Sequence, residues 1–90
     1  MAEDRVTIDL NTVLDDADAR LVEFDGDAGG ETFSFALQYD VLEALSGDTP
    51  DDEAVQLFHR HIDEIADFAA TALARDPDQA VVTISENDME

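Results

Sequence analysis

The sequence predicts an α+β domain in which a small, mostly antiparallel sheet carries one short and one long helix on one face. Apolar and polar residues alternate over three early segments, as in half-buried strands. The spacing becomes helical over residues 39–75, and a last short apolar run follows at 79–84. The predicted order is therefore β-β-β-α-α-β, in one domain of 90 residues with short polar tails at 1–4 and 86–90.

The first strand is predicted at residues 5–10. There Val6, Ile8 and Leu10 share one face, while the residues between them are polar and point to the other side. Residues 11–19 are acidic and break the alternation, so they are expected to form a connector.

A β-hairpin is predicted next. Residues 20–25 and 31–37 alternate again, and the stretch 25–30 between them is rich in glycine and aspartate, which is a dense turn signal. The positions expected to face the core are Val22, Phe24, Phe33, Phe35 and Leu37.

Two helices are predicted after the hairpin. Residues 39–46 fit a short helix that ends at Gly47. Thr49 is the expected N-cap of a long helix that runs to Arg75, with Pro50 at its first position. Apolar residues recur along the long helix at spacings of three and four, which predicts a core-facing stripe formed by Val55, Phe58, Ile62, Ile65, Ala69 and Ala72.

Charge is the most unusual property of the chain. It has 24 Asp and Glu residues against four arginines, and its formal net charge is -20. Such a surface is typical of adaptation to a salt-rich cytoplasm, where K⁺ or Na⁺ counterions screen the carboxylates over about 3 Å at molar salt. Binding to nucleic acid is not expected, because phosphates need Arg or Lys. Cysteine is absent and no long apolar run occurs, so neither disulfides nor a membrane span is expected.

Both histidines and one arginine lie together in the predicted long helix, as His59, Arg60 and His61. On a helix the two histidines point about 200° apart, so they cannot form the i, i+4 pair of a helical zinc site. We expect them to pair locally with Asp63 and Glu64, and we take the three basic residues as candidates for partner binding.

The acidic turn offers the weaker candidates for a metal site. Asp25, Asp27 and Glu31 could hold a divalent cation loosely. The start of this stretch resembles a calcium loop, but the twelfth position is Ala36 rather than glutamate and the flanks are predicted strands. A plain hairpin turn is the alternative.

Residues 15–88 resemble a family of small, mostly bacterial proteins known as domain of unknown function 1488 (DUF1488). The resemblance is carried by hydrophobic spacings and a turn glycine, at Asp16, Val22, Phe24, Gly30, Ala44, Leu45, Phe58, Ile65 and Ala69. The opening Trp of that family is missing here, and of its His-Arg pair His61 is present but is followed by Ile62. The resemblance implies a shared fold and no particular activity.

No catalytic constellation is evident, because no nucleophile elbow, phosphate loop or histidine-carboxylate triad occurs. We therefore expect a cytoplasmic, non-enzymatic domain without a cofactor that acts by protein-protein interaction, with a homodimer as one form. The alternative is a module that binds a divalent cation or small ligand weakly through residues 25–31.

Overall fold

The computed structural model describes residues 6–50, 53–76 and 78–86. Four strands form one sheet in the order β1-β2-β3-β4, in which β1–β2 and β2–β3 are antiparallel and β3–β4 is parallel. The fold class is therefore confirmed as α+β with a mostly antiparallel sheet. The elements are β1 Thr7–Asp16, β2 Leu21–Ala28, β3 Glu31–Gln38, α1 Tyr39–Ser46, α2 Ala54–Arg60, α3 Ile62–Arg75 and β4 Val81–Ile84.

The β2–β3 hairpin is tighter than predicted. Its strands pair up to Ala28 and Glu31, so that the turn consists of Gly29 and Gly30 alone rather than residues 25–30. Both glycines have positive φ, 63° and 88°. This is the pattern of a two-residue type I′ turn, whose twist matches that of the flanking strands.

Strand β1 is longer than predicted, so the expected connector at 11–19 is wrong over residues 11–16, and only 17–19 lie in the turn before β2. The strand continues to Asp16 because its pairing with β2 resumes after an irregularity between Asp9 and Leu14. There the Thr12 hydroxyl donates to the Asp9 carbonyl oxygen at 2.7 Å and accepts from the Asp25 backbone N–H at 2.8 Å. The Thr12 hydroxyl thus takes the place of a main-chain partner in the hydrogen bonding between β1 and β2. Such an irregularity shifts the register of the strand, so its apolar and polar residues no longer alternate regularly.

The helical region departs from the prediction at both its start and its middle. The first described helical residue is Ala54, with Glu53 as N-cap, whereas the Thr49 hydroxyl donates to the Glu43 carboxylate. Thr49 is therefore not the cap; Asp51, Asp52 and Pro77 lie outside the described residues. One long helix is also wrong, because His61 has φ −111° and ψ 28° and separates α2 from α3. The predicted end of α1 is confirmed, since Gly47 adopts φ 80°.

The core lies between one face of the sheet and the helices. Its centre is an aromatic cluster in which the Phe24 ring lies 5.2 Å from that of Phe35 and 5.0 Å from that of Phe58. Edge-on and tilted packing of this kind suits the quadrupoles of the rings. The predicted inward positions Val22, Phe24, Phe35 and Leu37 are all buried, while Phe33 is half-buried.

The helices divide the sheet between them. Helix α2 packs on β1 and β2, α1 packs on β3, and α3 packs on β4. His61, with φ −111° and ψ 28°, separates α2 on β1 and β2 from α3, which packs on β4. The start of α3 and the start of β1 therefore face each other across a gap.

Candidate functional site

A groove of about 540 Å³ lies between β1 and α3. Strand β1 forms one wall and the first two turns of α3 form the other. We call this the β1–α3 groove; it is lined by Val6, Thr7, Ile8, Leu10, Ile62, Asp63, Ala66 and Asp67. Its volume falls in the range of sites that enclose ligands.

The groove is half-open to solvent, and its apolar side chains differ in how far they are buried. Val6 is buried at 3% exposure, and Ile8 is half-buried against the core, whereas Leu10 is 51% exposed. On the opposite wall Ile62 and Ala66 are also half-buried. The prediction that Leu10 faces the core is therefore wrong, because its side chain lies in the open groove between β1 and α3. A leucine left half in water beside buried neighbours marks incomplete packing at this position.

Two carboxylates border the apolar part of the groove. Asp63 and Asp67 are four residues apart on α3 and hence lie on the same side of the helix. Both are exposed. Within the described part of the chain, neither is in an ion pair: His61 lies near Glu64, and Arg75 near Asp76. The groove thus combines apolar side chains with two carboxylates that have no ion-pair partner among the described residues.

The three basic candidates lie beside the groove rather than in it. His59 and Arg60 are exposed on the last turn of α2, and His61 occupies the joint between the helices. Of the predicted local pairs, only His61 Nδ1 with Glu64 Oε1 comes within ion-pair range, at 3.9 Å. The next residue along the chain, Ile62, is the first that lines the groove. The three basic candidates predicted from the sequence therefore lie next to the groove but do not line it.

The acidic turn does not bring its three candidates together. The Asp25 carboxylate accepts from the Ser34 hydroxyl at 3.1 Å, and that of Asp27 accepts from Thr32 at 2.6 Å. Glu31 precedes Thr32 on β3, so its side chain leaves the opposite face of the sheet. Across residues 6–50, 53–76 and 78–86, no group of three or more His, Cys, Asp or Glu side chains is arranged to hold a metal ion.

A second, polar cleft of about 350 Å³ lies where β2 begins and α1 starts. Arg20 has a positive φ of 60°, and its carbonyl oxygen accepts from the Tyr39 N–H at 3.0 Å. This contact ties the turn before β2 to the first residue of α1. The lining residues are Ala19, Arg20, Leu21, Gln38, Tyr39, Asp40, Glu43, Thr49 and Pro50.

Tyr39 at this cleft is held in its protonated form. Its hydroxyl donates to Asp15 Oδ1. Burial, followed by this hydrogen bond and the charge of Asp15, raises the pKa of Tyr39 to about 12. A phenol with such a pKa serves as a hydrogen-bond donor and not as a base or nucleophile near neutral pH. The contact links β1 to α1 across 24 residues of sequence, and the sequence pattern carried no signal for it.

No helix among the described residues is both long enough and apolar enough to span a bilayer.

The fold is similar to that of a crystal structure from Shewanella loihica PV-4, described as a protein of unknown function from the DUF1488 family. The TM-score is 0.66, and the likeness covers 93% of this chain and 96% of that one. Sequence identity is 15%, so the comparison establishes a shared fold. No family model matches the chain, and no curated protein matches it.

Proposed function

We propose that this protein is a non-enzymatic domain that acts by binding another protein at the β1–α3 groove. The observation that carries the proposal is the half-exposed Leu10 beside the buried Val6, in a groove whose opposite wall is α3. Exposed apolar surface with a polar border is the usual character of protein-protein contact sites.

We further propose that the chain is a DUF1488 member adapted to a salt-rich cytoplasm. The shared fold and the matched positions of the family pattern, among them Phe24, Phe58 and Ile65 at the core, support membership. The net charge of -20 supports the adaptation, because repulsion among surface carboxylates destabilises the compact state unless salt screens it.

Salt dependence tests the adaptation. We expect the unfolding midpoint to rise steeply from about 0.1 M to about 3 M KCl, as the screening length shortens from about 10 Å to below 3 Å. A midpoint that stays flat over this range contradicts the proposal.

Photo-crosslinking tests the interaction surface. A crosslinking amino acid placed at position 10 in cells of the source organism should capture one defined protein. The matched control is position 14, because Leu14 lies on the same strand and is 59% exposed, but does not line the groove. The captured protein, once purified, should bind the wild type and not the Leu10→Asp variant. Equal capture from both positions, or none from position 10, rules out the groove as the binding surface.

The partner is either a second copy of the chain or a different protein. Static light scattering in molar KCl separates the two. A mass that rises from one chain to two with concentration supports a homodimer. A single-chain mass at every concentration excludes the homodimer and leaves a different protein.

A further inference from the structure

Beyond its apolar walls, the β1–α3 groove has a strand edge along one side. Strand β1 is at the end of the sheet order and pairs with β2 alone. Within the part of the chain that the structure describes, its other edge faces no strand. An unpaired edge presents main-chain N–H and C=O groups that another extended chain can use.

The pairing with β2 indicates which main-chain groups point outward. Asp25 directs its backbone N–H toward β1, where Thr12 Oγ1 accepts it, and its partner in the register is Asp9. In an antiparallel ladder, successive residues direct their main-chain groups to opposite sides. The N–H and C=O of Ile8, next to Asp9, therefore point to the free edge, at the middle of the groove.

We propose that the groove receives an extended segment of a different protein, which adds to β1 as a fifth strand and places an Arg or Lys side chain against Asp63 and Asp67. The inference rests on the proposed function in one respect, that the groove binds a protein. It adds the conformation of the bound segment and the chemistry of its side chains.

Side-chain geometry sets the pattern of such a segment. Alternate residues of an added strand point to the helix side of the sheet. These residues would lie between Ile8 and Leu10 on one wall and Ile62 on the other, so apolar side chains fit there. A basic side chain is required on the same face, where α3 presents its two carboxylates.

Charge decides against a second copy as the occupant. Two copies meeting edge to edge would each bring a net charge of -20 and the same pair of aspartates to the interface. A basic segment meets opposite charge instead. Ion pairs that are partly buried at an interface are screened less by salt than exposed ones, so the preference persists in a salt-rich solution.

A synthetic peptide provides the probe. Its two valines and two arginines occupy every second position, so that all four share one face of the strand. Threonines occupy the positions between them. Binding is measured by NMR titration in about 1 M KCl, where non-specific attraction is screened to about 3 Å. Amide shifts are expected at residues 6–10 and 62–67, and not at the acidic turn 25–31. Shifts spread evenly over the acidic surface overturn the proposal.

A matched peptide isolates strand addition. It has the same sequence, but its edge-facing amides are N-methylated and cannot donate to β1. The proposal requires binding at least about tenfold weaker, which corresponds to about 1.4 kcal/mol. Equal binding of the two peptides means that charge alone is recognised and overturns the proposal.

Protein variants isolate the side chains. The double variant Asp63→Asn, Asp67→Asn should weaken binding about tenfold or more. The double variant Asp18→Asn, Asp48→Asn has the same net charge and alters exposed acids that lie outside both β1 and the groove, so it should bind like the wild type. Equal losses in the two variants overturn the assignment.

The outcomes separate this inference from the proposed function. If crosslinking at position 10 captures a protein but the peptide does not bind, the function stands and strand addition falls. If position 10 captures nothing and the peptide does not bind, both fall. A dimer seen by light scattering and abolished by Leu10→Asp assigns the groove to a second copy and overturns the basic partner.

Discussion

Helices α2 and α3 meet at His61 but cover the sheet to different extents. Helix α2 seals its part of the sheet, since Ala54, Leu57 and Phe58 are each at most 3% exposed. The first turns of α3 leave Ile62 and Ala66 half-buried opposite the exposed Leu10. Apolar residues recur with nearly the same period on both sides of His61. The difference therefore comes from where each helix packs on the sheet, and composition plays little part in it.

The bend at His61 interrupts the helical conformation without disrupting its hydrogen bonds. The His61 N–H donates to the Leu57 carbonyl at 3.1 Å, and the His61 carbonyl accepts from Ile65 at 3.0 Å. The break in the helical dihedral angles is thus made at little cost in backbone hydrogen bonding. Helix α3 packs on β4, and its Ile65, Ala69 and Ala72 are fully buried.

The largest contrast is expected between the centre of the core and the groove. Phe58→Ala should lower the free energy of unfolding by about 3–5 kcal/mol, because it leaves a cavity in the core between Phe24 and α2. Leu10→Ala should change it by less than about 0.5 kcal/mol, since half of that side chain is already in water. Denaturant unfolding in molar KCl measures both. Comparable losses would mean that the groove is part of the closed core.

Gly26 on β2, where the side chain of Val6 lies close to the backbone, should be the next most sensitive position. A Cβ added to Gly26 would lie 2.7 Å from Val6 Cγ1. Gly26→Ala should therefore lower the free energy of unfolding by about 1–3 kcal/mol through overpacking. The control is Val6→Ala in the same background, which removes the clashing methyl groups. The double variant should cost less than the sum of the two single variants, and strict additivity would contradict the clash.

Tyr39 gives a prediction at the opposite end of β1. Tyr39→Phe removes the hydrogen bond to Asp15 and should lower the free energy of unfolding by about 1 kcal/mol. Because folding raises the Tyr39 pKa from the ordinary 10.0 to about 12, the associated stability is full below pH 10 and is lost as the pH rises through 12.

Tyr39 is the single tyrosine of the chain, so absorbance titration of the phenol reports its pKa directly. The wild type should lose stability relative to the Phe variant between pH 10 and about 12. An apparent pKa near 10, or parallel pH profiles for the two proteins, would show that the hydroxyl is not held as described.

The smallest effect is expected at the bend. Glu64→Gln removes the 3.9 Å contact with His61, in which the Glu64 side chain is 55% exposed. The expected change in the free energy of unfolding is below about 0.5 kcal/mol, as for other exposed ion pairs. Asp67→Asn, an exposed acid one turn further along, is the control. A larger loss for the Glu64 variant would show that the ion pair fixes the direction of α3.

The sequence predicted those elements whose residues repeat with a regular period. Val22 and Phe24 alternate with polar residues and are buried, and Gly47 ends α1 in the left-handed conformation that favours glycine. The extension of β1 was missed because Thr12 inserts its side chain into the ladder and shifts the register. Alternation of apolar and polar residues indicates which face of the sheet a side chain occupies. It does not indicate where a side chain replaces a main-chain hydrogen-bond partner.

The candidate site was predicted least well. The residues His59, Arg60 and His61 were predicted as candidates because basic residues are rare in this acidic chain. Their rarity does not indicate where they lie in the fold. Leu10 carried the useful signal, an apolar residue at the end of an alternating strand, and it was assigned to the core. Burial depends on what lies opposite a side chain, which is a relation between distant segments.

The sequence by itself determined that the chain forms a sheet, a hairpin and amphipathic helices, and that its surface is strongly acidic. Local spacing and composition suffice for these properties. Only the tertiary structure decided the strand order, the parallel pairing of β4 with β3, and the break at His61 that separates α2 from α3. These depend on which surfaces are buried together, and from them the β1–α3 groove follows.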